Sequence, residues 1–374
     1  MSRYERYSGA RGISLHDSLN DSGYAYAKAA WIIGKSFLGK RISLLANIHT
    51  LHDLEKLLFP DSYKELPGRE LLVDIEKRVT DRAVKQIYSV VNSFEEPPKL
   101  LVRMLKSFEY GDLKECISHV AGGNKEMPKI SDIGRFKTVR FNAYPDIAAM
   151  IKKTEFEFLL LDDLKGIKQG MGFSNPAWQS VNLMSVETKL DYHFYKSIMD
   201  SLSELPDEEQ EDAVRLIADE ISLRNCVWAL RLRSYYQKTE IETVKYLMDL
   251  KLPAANKVYN AFLKRSSLCA ESKASLNLPL DVRAPWRGWR WERFLNPEEP
   301  SVHWTCDPRH FQNAASFYLN HLAYHNFHSS PMSISALYCF IKIKLFEEDL
   351  LTSVAEGISL GMDSTGIFKL LEIN

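Results

Sequence analysis

Between Pro206 and Tyr236 the apolar residues recur along two helical stripes at once. One is Val214, Ile217, Ile221 and Trp228; the other is Leu216, Leu223, Val227 and Leu230. A single stripe marks a surface helix. Two stripes require neighbours on two sides, so this segment is expected inside a helical bundle. The ends agree with that reading. Pro206 suits a first-turn position, Asp207, Glu208, Glu209, Glu211 and Asp212 crowd the N-terminal end, and Arg231 and Arg233 lie at the other, complementing the helix dipole. At full length the helix spans roughly 45 Å.

Helical periodicity continues through most of the chain. A segment rich in helix formers opens at Tyr24-Ala25-Tyr26-Ala27 and runs to Gly39. A short helix follows the Thr50 cap, and a long one is expected from Glu70 to Phe94, closed by Pro97-Pro98. Lys99 to Val120 reads as one helix stopped at Gly122-Gly123. Further helices are expected over Asp146–Leu161, Asn182–Leu202, Glu240–Leu250, Pro308–Phe327 and Met332–Glu356, with a glycine-rich loop over Gly166–Pro176. No sustained period-two alternation occurs, so the predicted class is all-α, built of bundles. One stretch breaks the pattern. Five prolines and four of the seven tryptophans, Trp286, Trp289, Trp291 and Trp304, fall between Pro279 and Pro308. That density of proline forbids long regular structure. The Trp286-Arg287-Gly288-Trp289-Arg290-Trp291 string suits base stacking or a membrane boundary, but the surrounding prolines and acids favour a local aromatic core or a docking loop.

The basic tract that closes the long helix, Arg231-Leu232-Arg233-Ser234-Tyr235, has two echoes. They are Arg103-Met104-Leu105-Lys106-Ser107-Phe108 and Lys342-Ile343-Lys344-Leu345-Phe346, about 127 residues before and 111 after. Such strings also arise by coincidence in helical proteins. Taken as a repeat, they divide the chain into helical units at 1–135, 136–255 and 256–374, the last holding the tryptophan-rich insertion.

Composition narrows the function classes. A chain of 374 residues exceeds what one core comfortably serves, and 45% hydrophobic with 26% charged residues is ordinary for a globular protein. The formal net charge of -1 gives no general attraction to nucleic acid. The cysteines, Cys116, Cys226, Cys269, Cys306 and Cys339, are scattered and odd in number, which predicts buried free thiols in a reducing compartment. No apolar run reaches the length of a membrane span and the N-terminus has no apolar leader, so a cytoplasmic protein is expected, touching a membrane only through partners.

Candidate chemistry is sparse. No phosphate-binding loop, dinucleotide fingerprint or nucleophile elbow is present, and no catalytic residue, cofactor or metal is expected. His321, His325 and His328 share a helix face at ligand spacing, but Leu322 stands where an HExxH motif needs its acid. Glu187 and Asp191, one turn apart, could work as acid and base. With no nucleophile beside them, pairing with Arg or Lys across a helix interface is the simpler role.

Several of these segments resemble, in order, the C-subunit family of rotary V/A-type ATPases, whose eukaryotic members are known as the d-subunit. Tyr24-Ala25-Tyr26-Ala27 resembles the family's opening helix, and Val186 to Tyr195, with Glu187, Asp191 and the aromatics after them, resembles its acidic-aromatic helix. Glu220-Ile221 through Asn225 to Leu230-Arg231 is similar to its E-I-D-x-x-N-L…L-R segment, with Ser222 in place of Asp and Cys226 in place of Leu. The last helix is similar only loosely, and the tryptophan-rich stretch has no counterpart. The resemblance implies three related bundles about a pseudo-threefold axis, shaped as a funnel. It implies a non-catalytic rotor part on the cytoplasmic face, joining central-stalk subunits to the membrane rotor ring, and marks Tyr24, Tyr26, Glu187, Asp191, Asn225 and Arg231 as partner or structural positions. A helical-repeat scaffold unrelated to rotary machines fits the same bundles, and a metalloenzyme built on the histidines is a third reading.

Overall fold

The computed structural model describes residues 15–250, 270–363 and 366–368. All regular structure among them is helical, with no strand. In chain order the helices are α1 (Leu15–Gly34), α2 (Leu51–Leu58), α3 (Gly68–Val91), α4 (Lys99–Leu105), α5 (Ser107–Ala121) and α6 (Ile147–Ile151). There follow α7 (Leu183–Leu202), α8 (Asp207–Tyr236), α9 (Glu240–Val244), α10 (Ala270–Asn277), α11 (Pro308–Ser329) and α12 (Ile334–Ser359), with short 3₁₀ turns between several of them. Contacts gather the chain into two compact units. One draws on Met1–Val102, Leu205–Ala213 and Phe317–Asn374, the other on Arg103–Glu204 and Val214–Ser316.

In the first unit α3 lies along α12, and α1 and α2 pack against both. The sequence of α3 makes this inevitable. Leu71, Ile75, Val79, Ala83, Ile87 and Val90 return at helical spacing and are all buried. From Ser335 to Ile341 every residue of α12 is buried, which identifies it as an interior helix. Local signals set the ends: Thr50 accepts the Asp53 amide (3.1 Å) and Ser333 the Ala336 amide (3.0 Å). Burial inside a helix this apolar makes its charges consequential. Lys344 and Glu347 pair one turn apart, both almost fully buried, and Glu347 also accepts the Phe37 amide at 2.6 Å. Burial pushes the Lys344 ammonium below its ordinary range, with Glu347 offsetting part of the effect.

In the second unit α5 packs on α7, and α9 on α10. Helix α8 is buried at most positions between Val214 and Leu232, including Val214, Leu216, Ile217, Ile221, Leu223 and Leu230 of its two apolar stripes. The tryptophan-rich stretch forms a local aromatic core. Trp286 and Trp291 are essentially fully buried, Trp289 stacks on Phe311 (5.5 Å between centroids) and Trp291 on Phe294 (5.4 Å). Three indole N–H groups donate to carbonyls, of Pro279, Glu271 and Asn296, at 2.8–3.2 Å. Trp291 turns instead to the Ser222 hydroxyl (3.4 Å), and Arg290 closes on the buried Asp219 at 2.6 Å.

Four expectations need correction. Lys99–Val120 is not one helix but two, bent at Lys106, where Arg103 and Lys106 both turn onto the Glu155 carboxylate. Burial would raise Glu155, but the two cations outweigh it and hold the carboxyl below its ordinary range. The Asp146–Leu161 helix stops at Ile151, where Lys153 takes a left-handed conformation (φ 60°). That turn brings Glu155 back to its cations and Phe156 into the core. The helix after Glu240 ends at Val244, because the Met248 backbone is engaged by Asn225 rather than by the next helical turn. The three basic-aromatic echoes do not close corresponding helices: Phe108 is in the first turn of α5, Tyr235 in the last turn of α8, and Phe346 in the middle of α12. Cys116, Cys226, Cys306 and Cys339 are buried free thiols, and Cys269 lies outside the described residues.

One buried acid yields a pH test. Asp112 accepts the Ser131 amide (2.8 Å) and hydroxyl (3.1 Å), yet burial outweighs these bonds and raises its carboxyl from 3.8 to about 6. A raised folded-state value means that its contribution is complete below the unfolded value and lost as pH climbs through the folded one. Asp112→Asn, measured by urea unfolding against the parent chain, should therefore gain about 2 kcal/mol of relative stability between pH 4 and pH 7. A difference that stays flat across that window refutes the assignment.

Candidate functional site

Four of the six residues marked by the resemblance lie in the second unit, and three of them meet. Helix α7 carries Glu187 and Asp191 on successive turns, α8 carries Arg224, Asn225 and Trp228, and the turn after α9 supplies Tyr246, Leu247 and Met248. Together they line one small cleft with about 30 Å³ of internal space. The sequence explains how each is held. Asn182 caps α7 through the Ser185 amide (3.2 Å) and so fixes the register of both acids. Thr239 and Glu242 form a reciprocal capping box that starts α9 and aims the following turn at α8.

Asp191 is the electrostatic centre. It accepts from Lys114 of α5 at 2.5 Å and from Arg224 of α8, so one carboxylate on α7 ties three helices. Burial works against the Arg224 charge, and the Asp191 and Glu220 carboxylates beside it favour it. Glu220 in turn accepts the Tyr195 hydroxyl (2.6 Å), and burial together with Glu220 keeps that phenol protonated far beyond the usual range. The network holds its charges in place by mutual contact.

Asn225 acts on backbone. Its amide donates to the Met248 carbonyl (2.9 Å) and its oxygen accepts the Met248 amide (2.8 Å), all buried. An asparagine side chain matches one peptide unit in this way, so the turn after α9 is stitched to α8 without a strand. Beneath it Ala229, Leu247 and Leu276 pack together, with Trp228 against them.

The other marked residues take no part in these contacts. Glu187 lines the cleft but has no ion pair or hydrogen bond among the described residues. Arg231 does not line it, and its Nε has no acceptor among the described residues. The arginine that binds is Arg233, which donates to the Ser275 and Leu278 carbonyls (2.6 and 2.7 Å) and so closes the C-terminal end of α10. Tyr24 and Tyr26 belong to the first unit. Tyr26 stacks on Phe327 (4.9 Å, 19°) while Tyr24 faces outward. His321, His325 and His328 lie on the exposed face of α11, and no group of three metal-ligating side chains converges among the described residues. Lys114 and Arg224, central to the network, were not anticipated. Arg224 could have been found one turn after Glu220, but Lys114 is 77 residues from its partner and no local pattern announces it.

Two comparisons bear on this arrangement. The family model described as ATP synthase (C/AC39) subunit matches residues 40–369. An uncharacterized protein of Treponema pallidum (strain Nichols) is 26% identical over 345 residues, covering 91% of this chain and 94% of that protein.

Proposed function

The chain belongs to the ATP synthase (C/AC39) subunit family of V/A-type ATPases, and we propose that within such a complex it is a non-catalytic rotor part, coupling the central stalk to the membrane rotor ring at the cytoplasmic face. The family match, which runs almost the length of the chain, carries this reading. Two features of the molecule support the mechanical part. Helices α8 and α12 are buried over most of their central turns, which suits a body that must transmit torque without yielding. The Lys114–Asp191–Arg224 and Asn225–Met248 ties lock α5, α7, α8 and the α9 turn to one another, so a load on one helix is shared by the rest. No helix among the described residues is long and apolar enough to cross a membrane. The three consecutive units at 1–135, 136–255 and 256–374, with their pseudo-threefold relation, belong to the same proposal.

The test is capture of the tagged full-length chain from detergent-solubilised membranes. Expected are stoichiometric stalk and ring subunits in the eluate, with ATP hydrolysis that the isolated chain does not show. A chain recovered without any membrane ATPase favours the helical scaffold instead, and micromolar ATP binding by the isolated chain contradicts a non-catalytic role.

A further inference from the structure

Helix α1 is anchored by one face and leaves the other free. Ala25, Ala29, Ile32 and Ile33 are buried, and Tyr26 stacks on Phe327. The outward face reads Tyr24, the half-buried Lys28, and Trp31, at helical spacings of four and three, and Lys35 follows just past the helix end. Both aromatics are conspicuously exposed, at 63% each. Their rings are not idle: the Lys35 ammonium lies 3.8 Å above the Trp31 ring centre, and Lys28 lies 5.9 Å from that of Tyr24 while donating to the Ser89 carbonyl. Beyond the helix the same chemistry continues. Arg41 donates to the Lys35 carbonyl (3.1 Å), which holds the 3₁₀ segment Gly39–Asn47 against the end of α1, and Leu44 on that segment is 43% exposed. From Ser22 to His52 the chain has no Asp or Glu. Asp21 closes the stripe at its N-terminal end and Asp53 follows the segment.

We propose that this face binds the anionic headgroup layer of a membrane surface. The charge is complementary to lipid phosphate, and the composition decides between lipid and an acidic protein. An acidic protein segment would satisfy the cations but leave Tyr24, Trp31 and Leu44 against water or against carboxylates. A headgroup layer offers phosphate for the lysines and Arg41 together with a half-apolar medium for amphipathic rings, the setting in which tryptophan and tyrosine are enriched. Contact of this kind is direct, in place of the partner-only membrane contact expected from the sequence. It deepens the rotor reading and rests on it only for the presence of a membrane nearby.

The experiment is flotation of the full-length chain with phosphatidylcholine vesicles, with or without about one-third phosphatidylglycerol. Binding is expected to anionic vesicles only and to weaken as salt rises. Lys35→Glu should lower the bound-to-free ratio about tenfold or more. Trp31→Ser should lower it several-fold with the salt dependence kept, and should remove most of the indole quenching by brominated lipid, since the other tryptophans are buried or half-buried. Both sites are exposed, so unchanged circular dichroism and melting are expected and are checked first. Absence of flotation with anionic vesicles overturns the proposal, as does flotation that neither substitution alters. Retention on polyglutamate that anionic vesicles fail to compete overturns it in favour of an acidic protein. If membrane capture recovers the ATPase while vesicles do not bind, this inference alone falls. If vesicles bind and no ATPase is captured, the rotor reading falls.

Discussion

Lys344→Ala is expected to cost about 3–5 kcal/mol of folding stability, because it leaves Glu347 charged and buried with only part of its compensation. What remains is the Phe37 amide, at 2.6 Å, and the nearby charge of Arg82. The size of the loss reflects the unpaired partner more than the worth of the pair, since taking both ions out of water costs nearly what their attraction returns. That view makes a second result sharper than the first. Glu347→Gln keeps an acceptor for Phe37 but strands Lys344, so it too should be strongly destabilising. The double change Lys344→Met with Glu347→Gln removes both charges, keeps the acceptor and fills similar volume. It should recover most of the loss, giving a coupling of about 2–3 kcal/mol in a double-mutant cycle. Chemical unfolding of the four chains decides it. Single changes that cost no more than a surface pair, under about 1 kcal/mol, would show that water reaches this site.

The helices that could be read from the sequence share a property: their determinants are local. The two stripes of α8, the spacing of apolar residues in α3 and the hydroxyl caps at Thr50 and Ser333 all act within a turn or two, and each lies where the periodicity places it. The misread segments are those where a distant group outbids the local preference. Lys99–Val120 has helical propensity throughout, but Glu155 draws Arg103 and Lys106 to one point and the helix bends. Glu240–Leu250 has the pattern of a helix, but the Met248 peptide finds its partner 23 residues upstream in Asn225. Propensities of a few tenths of a kcal/mol per residue cannot compete with two buried hydrogen bonds.

The candidate site divides in the same way. Glu187 and Asp191 belong on one helix face by spacing alone, and the resemblance adds Asn225. Which of two arginines would be engaged was not legible. Arg231 and Arg233 are two residues apart and so point to nearly opposite sides of α8. Only the position of α10 makes Arg233 the ligand of two carbonyls and leaves the Arg231 Nε without an acceptor among the described residues. The tryptophan-rich stretch and the departure at Ser222 look unrelated in the sequence, yet the structure joins them. The Trp291 indole N–H meets the Ser222 hydroxyl, a contact 69 residues apart that neither segment announces.

Asn225→Ala gives the second large expected effect and connects stability to the proposed function. Deletion of the side chain removes two buried hydrogen bonds to the Met248 backbone, each worth about 0.5–1.5 kcal/mol, so a loss of roughly 1–3 kcal/mol is expected. Asn225→Asp supplies the acceptor but not the donor and brings a charge into a buried site, so it should not rescue the fold. Arg231→Ala, less than two turns along the same helix, should cost under about 1 kcal/mol, because its Nε has no acceptor among the described residues. The contrast matters for function. If the turn after α9 is part of a joint that carries torque, a chain with Asn225→Ala assembled into membranes should hydrolyse ATP at the catalytic head while ion pumping falls. Arg231→Ala should leave the two coupled. Pumping and hydrolysis measured on the same reconstituted vesicles give the ratio directly. Equal losses of both activities in the Asn225 variant would indicate failed assembly, and full pumping at normal hydrolysis would place the torque path away from this cleft.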